Sequence, residues 1–436
     1  MTKQSSALGP WTLTAVVVAS MIGAGVFTTS GFALGDLGSP LRVLAAWLIG
    51  GLLALCGALS YGALARLIPE SAGEYLYLSR TVHPSVGFVA GWVSLLAGFT
   101  AAIAYAALTF AAYVAPLAGN SLSPNLIATL AIAVAALLHS LHVKQGAWAQ
   151  NAIVALKLSL ILGFCVFALF EPGLSSWTGL AEIRNDTREV PPFSVAAFAQ
   201  TLMWVSFSYS GFNAAVYVAG EVPSARVRVP RALVLGTVLT TLVYLALNAI
   251  FVLVPPYDAV AFQEDVAAIA AYAVGGEAMA IAVRVLVALA LFTSISVMMM
   301  IGPRVYAKMA DDGLFPPILR FEGETPMVSI ITQGVLAAAV VWITGLRELL
   351  SYLGFTLGLS TAVTVAALFV VVRRNPDLAS VLPGYPWAPA IFVLFTLLFA
   401  TLAATVNPWE MLAALVTICS GVLLYRVLHG RWTSMQ

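Results

Sequence analysis

Two short stretches of this chain have residue types that could do chemistry. Near the N-terminus, "SMIGAGVF" (20–27) places Gly23 and Gly25 around Ala24 in the middle of an otherwise apolar run. Farther on, "SFSYSGFN" (206–213) interrupts a second apolar run with Ser206, Ser208, Ser210 and Gly211. Glycine costs roughly 1 kcal/mol relative to alanine inside a helix, so both runs are built to break. A broken helix presents groups that an intact one hides. The N-terminus of its second half offers unpaired N–H groups and a partial positive charge, which suit a carboxylate. Unwound carbonyls and the C-terminus of its first half suit an ammonium. Two breaks side by side make a socket for a zwitterion, whereas glycines for close helix packing would explain either run alone but not a matched pair.

Lys157 is a third candidate. It is the only charge in "AQNAIVALKLSLILGF" (149–164), about eight residues from the start of its run and so near one third of membrane depth at ~1.5 Å per residue. Charges at such depth are costly and face a partner or a cavity; the competing reading is a lysine that snorkels to the interface. Arg284, two turns after Glu277, reads as an interfacial anchor. The acidic residues fall in loops or at span ends, so no carboxylate in mid-membrane holds a second positive charge, which favours a neutral amino acid over a basic one. Cys56, Cys165 and Cys419 lie in separate apolar runs and read as small buried hydrophobes, and His83, His139, His142 and His429 do not cluster. With no nucleophile-plus-base or metal-ligand pattern, an enzyme, a metal and a cofactor are not expected.

The elements that must position these residues follow from composition. Hydrophobic residues make up 61% and charged residues 9% of the 436, where a soluble domain carries about 25% charged residues; mean hydropathy is +0.98. At about 20 residues per span there is room for about twelve helices, an all-α polytopic membrane protein in a lipid bilayer with residues 1–436 as one transmembrane domain. The net charge of +1 leaves no basic face for nucleic acid. Spans are expected near 11–35, 41–65, 85–116, 124–142, 149–170, 194–219, 231–254, 276–308, 327–345, 348–372, 386–406 and 409–428. Fourteen of the twenty basic residues then fall on the side of the N-terminus and only Arg42, Arg184, Arg188 and Arg347 in the opposite loops. That asymmetry puts both termini in the cytoplasm, with the first span retained rather than cleaved as a signal peptide. The polar loop near 171–193, with "EIRNDTRE", reads as a solvated surface. The breaks stand five spans apart, as two inverted five-helix repeats over about 11–170 and 194–372 require, with two extra helices over about 386–428.

The stretches "SMIGAGVFTTSG" (20–31), "PESAGEYLYLSR" (69–80), "FSYSGFNAAVYVAGEV" (207–222) with "RVPRA" (228–232), and "GPRVYAKMADDGLFP" (302–316) resemble amino acid permeases of the amino acid–polyamine–organocation (APC) superfamily. The resemblance covers nearly the whole chain. It implies the leucine-transporter-type fold, with 5+5 inverted repeats and broken helices 1 and 6. It further implies that the N–H groups of Ala24, Gly25 and Val26 take the substrate carboxylate, that carbonyls of Met21, Phe207, Ser208 and Ser210 take the α-ammonium, and that the Phe207 ring is the gate over the substrate. Similar transporters carry a lysine where Lys157 stands, its ammonium replacing a sodium ion between the first and eighth spans, where Ser294 and Ser296 would offer acceptors. Two departures, Ala63 where a glutamate is common and Ala72 in place of a glycine, bear on gating rather than on substrate class. The function implied is secondary active transport of neutral amino acids across the plasma (inner) membrane by alternating access, sodium-independent, by exchange or by symport with protons. The mixed charges of 220–232 and 302–316 read as an inner gate of ion pairs. Alternatives are a small-amine (ethanolamine-type) or polyamine permease and, from another class, a nutrient sensor on a transporter scaffold. A channel would need a polar stripe along a whole span, and none is seen.

Overall fold

The computed structural model describes residues 10–71, 73–119, 121–140, 147–170, 177–184, 190–311, 315–320 and 326–433. The readings on Lys3, Ala72, His142, Lys144 and Arg188 lie outside them.

The described residues form helices and no strand. The first expected span is two helices, α1 (Pro10–Met21) and α2 (Ala24–Leu37), bent by 43° at Ile22–Gly23. Gly38 ends α2 in the left-handed conformation (φ 65°) and returns its N–H to the Leu34 carbonyl, a helix stop that glycine makes without steric cost. Pro40 then opens α3 (Pro40–Leu67) at the position where a missing N–H costs nothing. A short helix α4 (Gly73–Thr81) leads into α5 (Pro84–Val93), a π-helical stretch (Ser94–Ala101) and α6 (Ala102–Val114), which together make the third expected span. The sequence gives no sign of that π stretch, which widens the turn without any special residue type. Next come α7 (Pro124–Ser140), α8 (Ala147–Phe170), which carries Lys157, and α9 (Thr178–Arg184).

Ser194 caps α10 (Val195–Ser208) by accepting the Ala197 N–H. This helix ends inside "SFSYSGFN"; residues 209–213 are turn and Ala214–Glu221 is a 3₁₀ helix. After α11 (Ala225–Leu253) and α12 (Tyr257–Val260) comes α13 (Val266–Asp311), ten residues longer at its start than expected. The two spacers Gly275 and Gly276 leave helical geometry there (φ −141° and 67°), so one element kinks where a boundary was read. The chain finishes with α14 (Met327–Ile343), α15 (Leu346–Arg374), α16 (Trp387–Ala403) and α17 (Pro408–Thr433).

Among the described residues, six helices are long and apolar enough to cross a membrane, and a seventh span forms if the bent α1–α2 pair is one; five shorter apolar helices stand at other expected segments. The helices sort by packing. One group is α1, α2, α3, α10 and α11, with α3 and α1 both lying along α11; another is α6, α7, α13 and α14. Behind the two breaks the core is aromatic: Trp47, Tyr209 and Tyr244 are buried and their rings lie 5.0–5.8 Å apart in tilted and edge-to-face pairs, the arrangement that ring quadrupoles favour.

Candidate functional site

The two breaks lie against each other at two crossings. A Cβ on Gly25 would stand 2.4 Å from the Ser208 hydroxyl oxygen and 2.9 Å from its Cα, so the first turn of α2 touches the last turn of α10. A Cβ on Gly211 (φ 99°) would stand 2.7 Å from the Ser20 carbonyl oxygen, so the turn after α10 touches the last turn of α1. Only glycine permits both the approach and the positive φ there. Ala24, Gly25 and Val26 are the first three residues of α2, and no side chain caps that terminus. Their N–H groups have no intrahelical acceptor and point back into the break.

Tyr244 on α11 joins the two breaks: its hydroxyl lies in hydrogen-bonding distance of the Met21 and Ser208 carbonyl oxygens. The Phe207 carbonyl accepts the Ser210 N–H at 2.8 Å. Each of these oxygens has a second lone pair, so the bonds named leave the carbonyls of Met21, Phe207 and Ser208 able to accept another.

Beside them runs a belt of buried hydroxyls. Thr29 and Ser208 share a hydrogen bond of 3.0 Å, Thr28 bonds Tyr105, and Ser30 bonds both Asn248 and the Trp47 indole N–H. The Phe207 ring stands edge-on to Tyr105 with centroids 5.2 Å apart, and it is half-buried where Tyr105 and Ser208 are buried. Tyr105, Tyr244 and Asn248 were not singled out from the sequence. Tyr244 and Asn248, one turn apart in "YLALN", give the one signal that could have been read: two polar side chains on one face of an apolar span.

The Lys157 side chain is buried (6% exposed), and its ammonium donates to the Ile22 carbonyl at the α1–α2 break. The serines expected beside it point elsewhere. Ser294 donates to the Ala290 carbonyl of its own helix, and Ser296 shares a hydrogen bond with His139 on α7. A serine inside a helix has its i−4 carbonyl within reach at all times, so its hydroxyl is a weak pointer to tertiary partners. Arg284 is more than an anchor: it pairs with Asp265 at 2.6 Å, both part-buried, and not with Glu277.

At the other side of the α10 break, Glu74 on α4 accepts from the Tyr61 hydroxyl (2.6 Å) and from the Asn213 amide (3.2 Å). Burial pushes the Glu74 carboxyl above the usual carboxylate range, more than the Tyr61 hydrogen bond lowers it. Ser71 accepts the Gly220 N–H nearby, so the start of α4 is stitched to the 3₁₀ helix. Of the expected inner-gate residues, Arg304 bonds a backbone carbonyl, that of Met300.

Comparison with known proteins completes the description. The family model "Amino acid permease" matches residues 8–420. The chain is 25% identical to human "Large neutral amino acids transporter small subunit 2" over 94% of this chain and 78% of that one. It is 26% identical to the human "Cystine/glutamate transporter", over 94% and 82% of the two chains. It is 25% identical to a "Serine/threonine exchanger" of Bacillus subtilis (strain 168), over 87% and 86%.

Proposed function

The chain belongs to the amino acid permease family, an integral membrane protein rather than an enzyme, and from that premise we propose that it carries neutral amino acids by alternating access, without sodium. One observation supports the reading of the site: the uncapped N-terminus of α2 abuts Ser208, whose carbonyl shares the Tyr244 hydroxyl with that of Met21. The N–H groups of Ala24, Gly25 and Val26 take the carboxylate, carbonyls of Met21, Phe207, Ser208 and Ser210 take the α-ammonium, and the Phe207 ring covers the substrate. The relatives named above handle neutral, serine/threonine and cystine/glutamate substrates, so their names do not choose among side chains. The neutral choice rests on charge: beside the break, the buried cation Lys157 is already bonded to the Ile22 carbonyl, and the groups along it are hydroxyls and rings. A basic side chain would enter without a counter-charge and beside a like charge, at a cost of several kcal/mol.

The twelve expected segments are the spans, both termini are cytoplasmic, and the two repeats are 11–170 and 194–372, with α16 and α17 outside them. Exchange and proton symport both fit this site. The test is uptake into liposomes of a panel of labelled amino acids, with and without internal amino acid and a pH gradient. Uptake of neutral members is expected; a panel that shows no uptake and no exchange would favour the sensor reading. An amine lacking the carboxylate of a transported amino acid should compete far more weakly than its parent, because charge-assisted hydrogen bonds contribute roughly 1.5–3 kcal/mol each. Equal competition would point to the ethanolamine-type alternative instead.

A further inference from the structure

A cavity of about 380 Å³ opens between the start of α13 and the 3₁₀ turn Ala115–Ala118 that follows α6. That volume lies within the ~300–1,000 Å³ of small-molecule sites. None of the residues at the breaks lines it. Its walls are of two kinds: Leu117, Ile269 and Ile281 are apolar, and Tyr272, Glu277 and Arg284 are polar or charged. Leu117, Tyr272 and Ile281 are exposed, so the mouth is on the molecular surface. The kink in α13 shapes this space. Gly275 and Gly276 leave helical geometry there, the second at φ 67°, a left-handed conformation that glycine adopts without steric cost. Ile269 and Tyr272 before the kink thus face the same space as Glu277, Ile281 and Arg284 after it.

The two charges in the wall have capacity to spare. Arg284 meets Asp265 through Nη2 at 2.6 Å, and its Nη1 is buried with no partner among the described residues. A guanidinium carries five N–H donors in a fork, so donors remain for an oxyanion. Glu277 is exposed and makes no ion pair among the described residues. The two stand seven residues apart on one helix, about 10 Å along its axis. Side chains on a helix lean toward its N-terminus, which brings the long guanidinium arm back toward the level of the carboxylate. The cavity therefore offers donors for an anion and an acceptor for a cation a short distance apart. Leading away from it, Ile281, Val285 and Leu289 form an exposed apolar stripe at four-residue spacing. Depth gives these features an order. With the span expected at 276–308, Glu277 stands at the membrane surface, Arg284 two turns deeper, and the stripe continues inward. The same order runs through a phospholipid with an ethanolamine headgroup: ammonium outermost, phosphate next, acyl chains innermost.

We propose that this cavity binds an aminophospholipid: Arg284 takes the phosphate, Glu277 takes the primary ammonium, and an acyl chain lies along Ile281, Val285 and Leu289. The free headgroup has the same phosphate and ammonium, and the apolar stripe selects the lipid over it. A choline headgroup has no N–H to donate to Glu277. A glycerol headgroup has no cation and brings only a negative charge toward that carboxylate. The wall of the cavity is also tied to the first break, because the Ala267 N–H donates to the Tyr113 hydroxyl (3.2 Å), which donates to the Phe27 carbonyl on α2 (2.8 Å). The proposal rests on the chain's place in a bilayer and not on which substrate it carries, so a failed uptake panel leaves it standing.

The test titrates acyl-labelled lipids of one chain length into the delipidated full-length protein in detergent. Phosphatidylethanolamine is expected to bind about tenfold more tightly than phosphatidylcholine or phosphatidylglycerol, the effect of one charge-assisted hydrogen bond. Glu277→Gln should erase that preference by weakening phosphatidylethanolamine alone. Arg284→Lys, which keeps the charge beside Asp265 and loses the fork, should weaken phosphatidylethanolamine and phosphatidylglycerol together. Ile281→Trp, which fills the mouth from its exposed side, should weaken every lipid. If Arg284→Lys does not fold, Glu277→Gln and Ile281→Trp still decide, since both positions are exposed. Equal affinity for the three lipids, a preference that survives Glu277→Gln, or unchanged binding in Ile281→Trp would each overturn the proposal. Glycerophosphoethanolamine, the headgroup without its chains, should displace the lipid only at far higher concentration. Displacement at the lipid's own concentration, by this headgroup or by a free neutral amino acid, would assign the cavity to a soluble ligand and overturn the lipid reading.

Discussion

A single methyl group at position 25 would overlap the Ser208 hydroxyl oxygen, 2.4 Å away, and crowd its Cα at 2.9 Å. Backbone cannot step aside as a flexible side chain does, so α2 and α10 must separate. Gly25→Ala should therefore weaken amino acid binding about tenfold or more, in line with overpacking costs of roughly 1–3 kcal/mol, and Gly25→Val should abolish it. Equilibrium binding of a transported amino acid to purified variants checks this, and unchanged affinity in Gly25→Val would remove the first-span site. Glu74 gives a second prediction at this scale. The groups that meet its carboxylate are neutral, Tyr61 on α3 and Asn213 after α10, with Tyr217 on the 3₁₀ helix near enough to act on it. Its folded-state pKa is raised by burial. The folded chain thus holds this proton more tightly than the unfolded chain, and stability falls as pH rises from an unfolded value of about 4.3 through the raised one. Thermal unfolding in detergent from about pH 4 to 7 should show wild type losing stability relative to Glu74→Gln as pH rises. Parallel curves would show that Glu74 does not titrate in this window.

Elements turn these residues into a site, and here sequence and structure part company in an instructive way. Breaks are legible because glycine and serine in an apolar run are costly and few, and the structure bends at Ile22–Gly23 and unwinds after Ser208. What joins the breaks is not legible in the same way. Tyr244 looks like any aromatic of a membrane span, and its role depends on α11 lying along both α1 and α3. Its neighbour Asn248 is the only hint. The serines mislead for the opposite reason, since Ser294 has a backbone acceptor in its own helix and needs no partner from another. Likewise Arg347 counts, in sequence, as one charge in a loop, and only the fold brings Asp36, Trp204 and Phe262 around it. The bridge itself is testable. Tyr244→Phe keeps the ring stack with Trp47 and Tyr209 and removes the one hydroxyl shared by the Met21 and Ser208 carbonyls. A lost neutral hydrogen bond is worth about 1 kcal/mol and an unpaired buried acceptor about 1–3, so amino acid affinity should fall roughly tenfold with little change in folding. Wild-type affinity in this variant would mean that the breaks hold their geometry without the bridge.

For the whole molecule, alternating access as proposed requires the α1–α2 break to stay attached to the rest of the protein while one helix group moves against another. Lys157 meets that requirement. It reaches from α8, which packs on both α11 and α13, to the Ile22 carbonyl at the break. A sodium ion placed there would meet the same carbonyl and a fixed positive charge within a few ångströms, so ion and ammonium exclude each other by charge and by volume. The lysine is part of the chain and needs no gradient to fill the gap. Uptake is therefore expected to be unchanged when sodium is replaced by choline or potassium at constant pH. Lys157→Ala should slow transport strongly, because it leaves the Ile22 carbonyl without its donor in a dry place and frees α1 from α8; an unpaired buried acceptor costs about 1–3 kcal/mol. Water filling the gap would leave a slow residual rate. Two outcomes decide the matter. If choline or potassium stops wild-type uptake, sodium occupies a site that the lysine does not replace. If sodium is irrelevant and Lys157→Ala transports at the wild-type rate, the bond to Ile22 is incidental, and whatever couples the break to the moving groups lies elsewhere, with Tyr244 on α11 the next side chain to change.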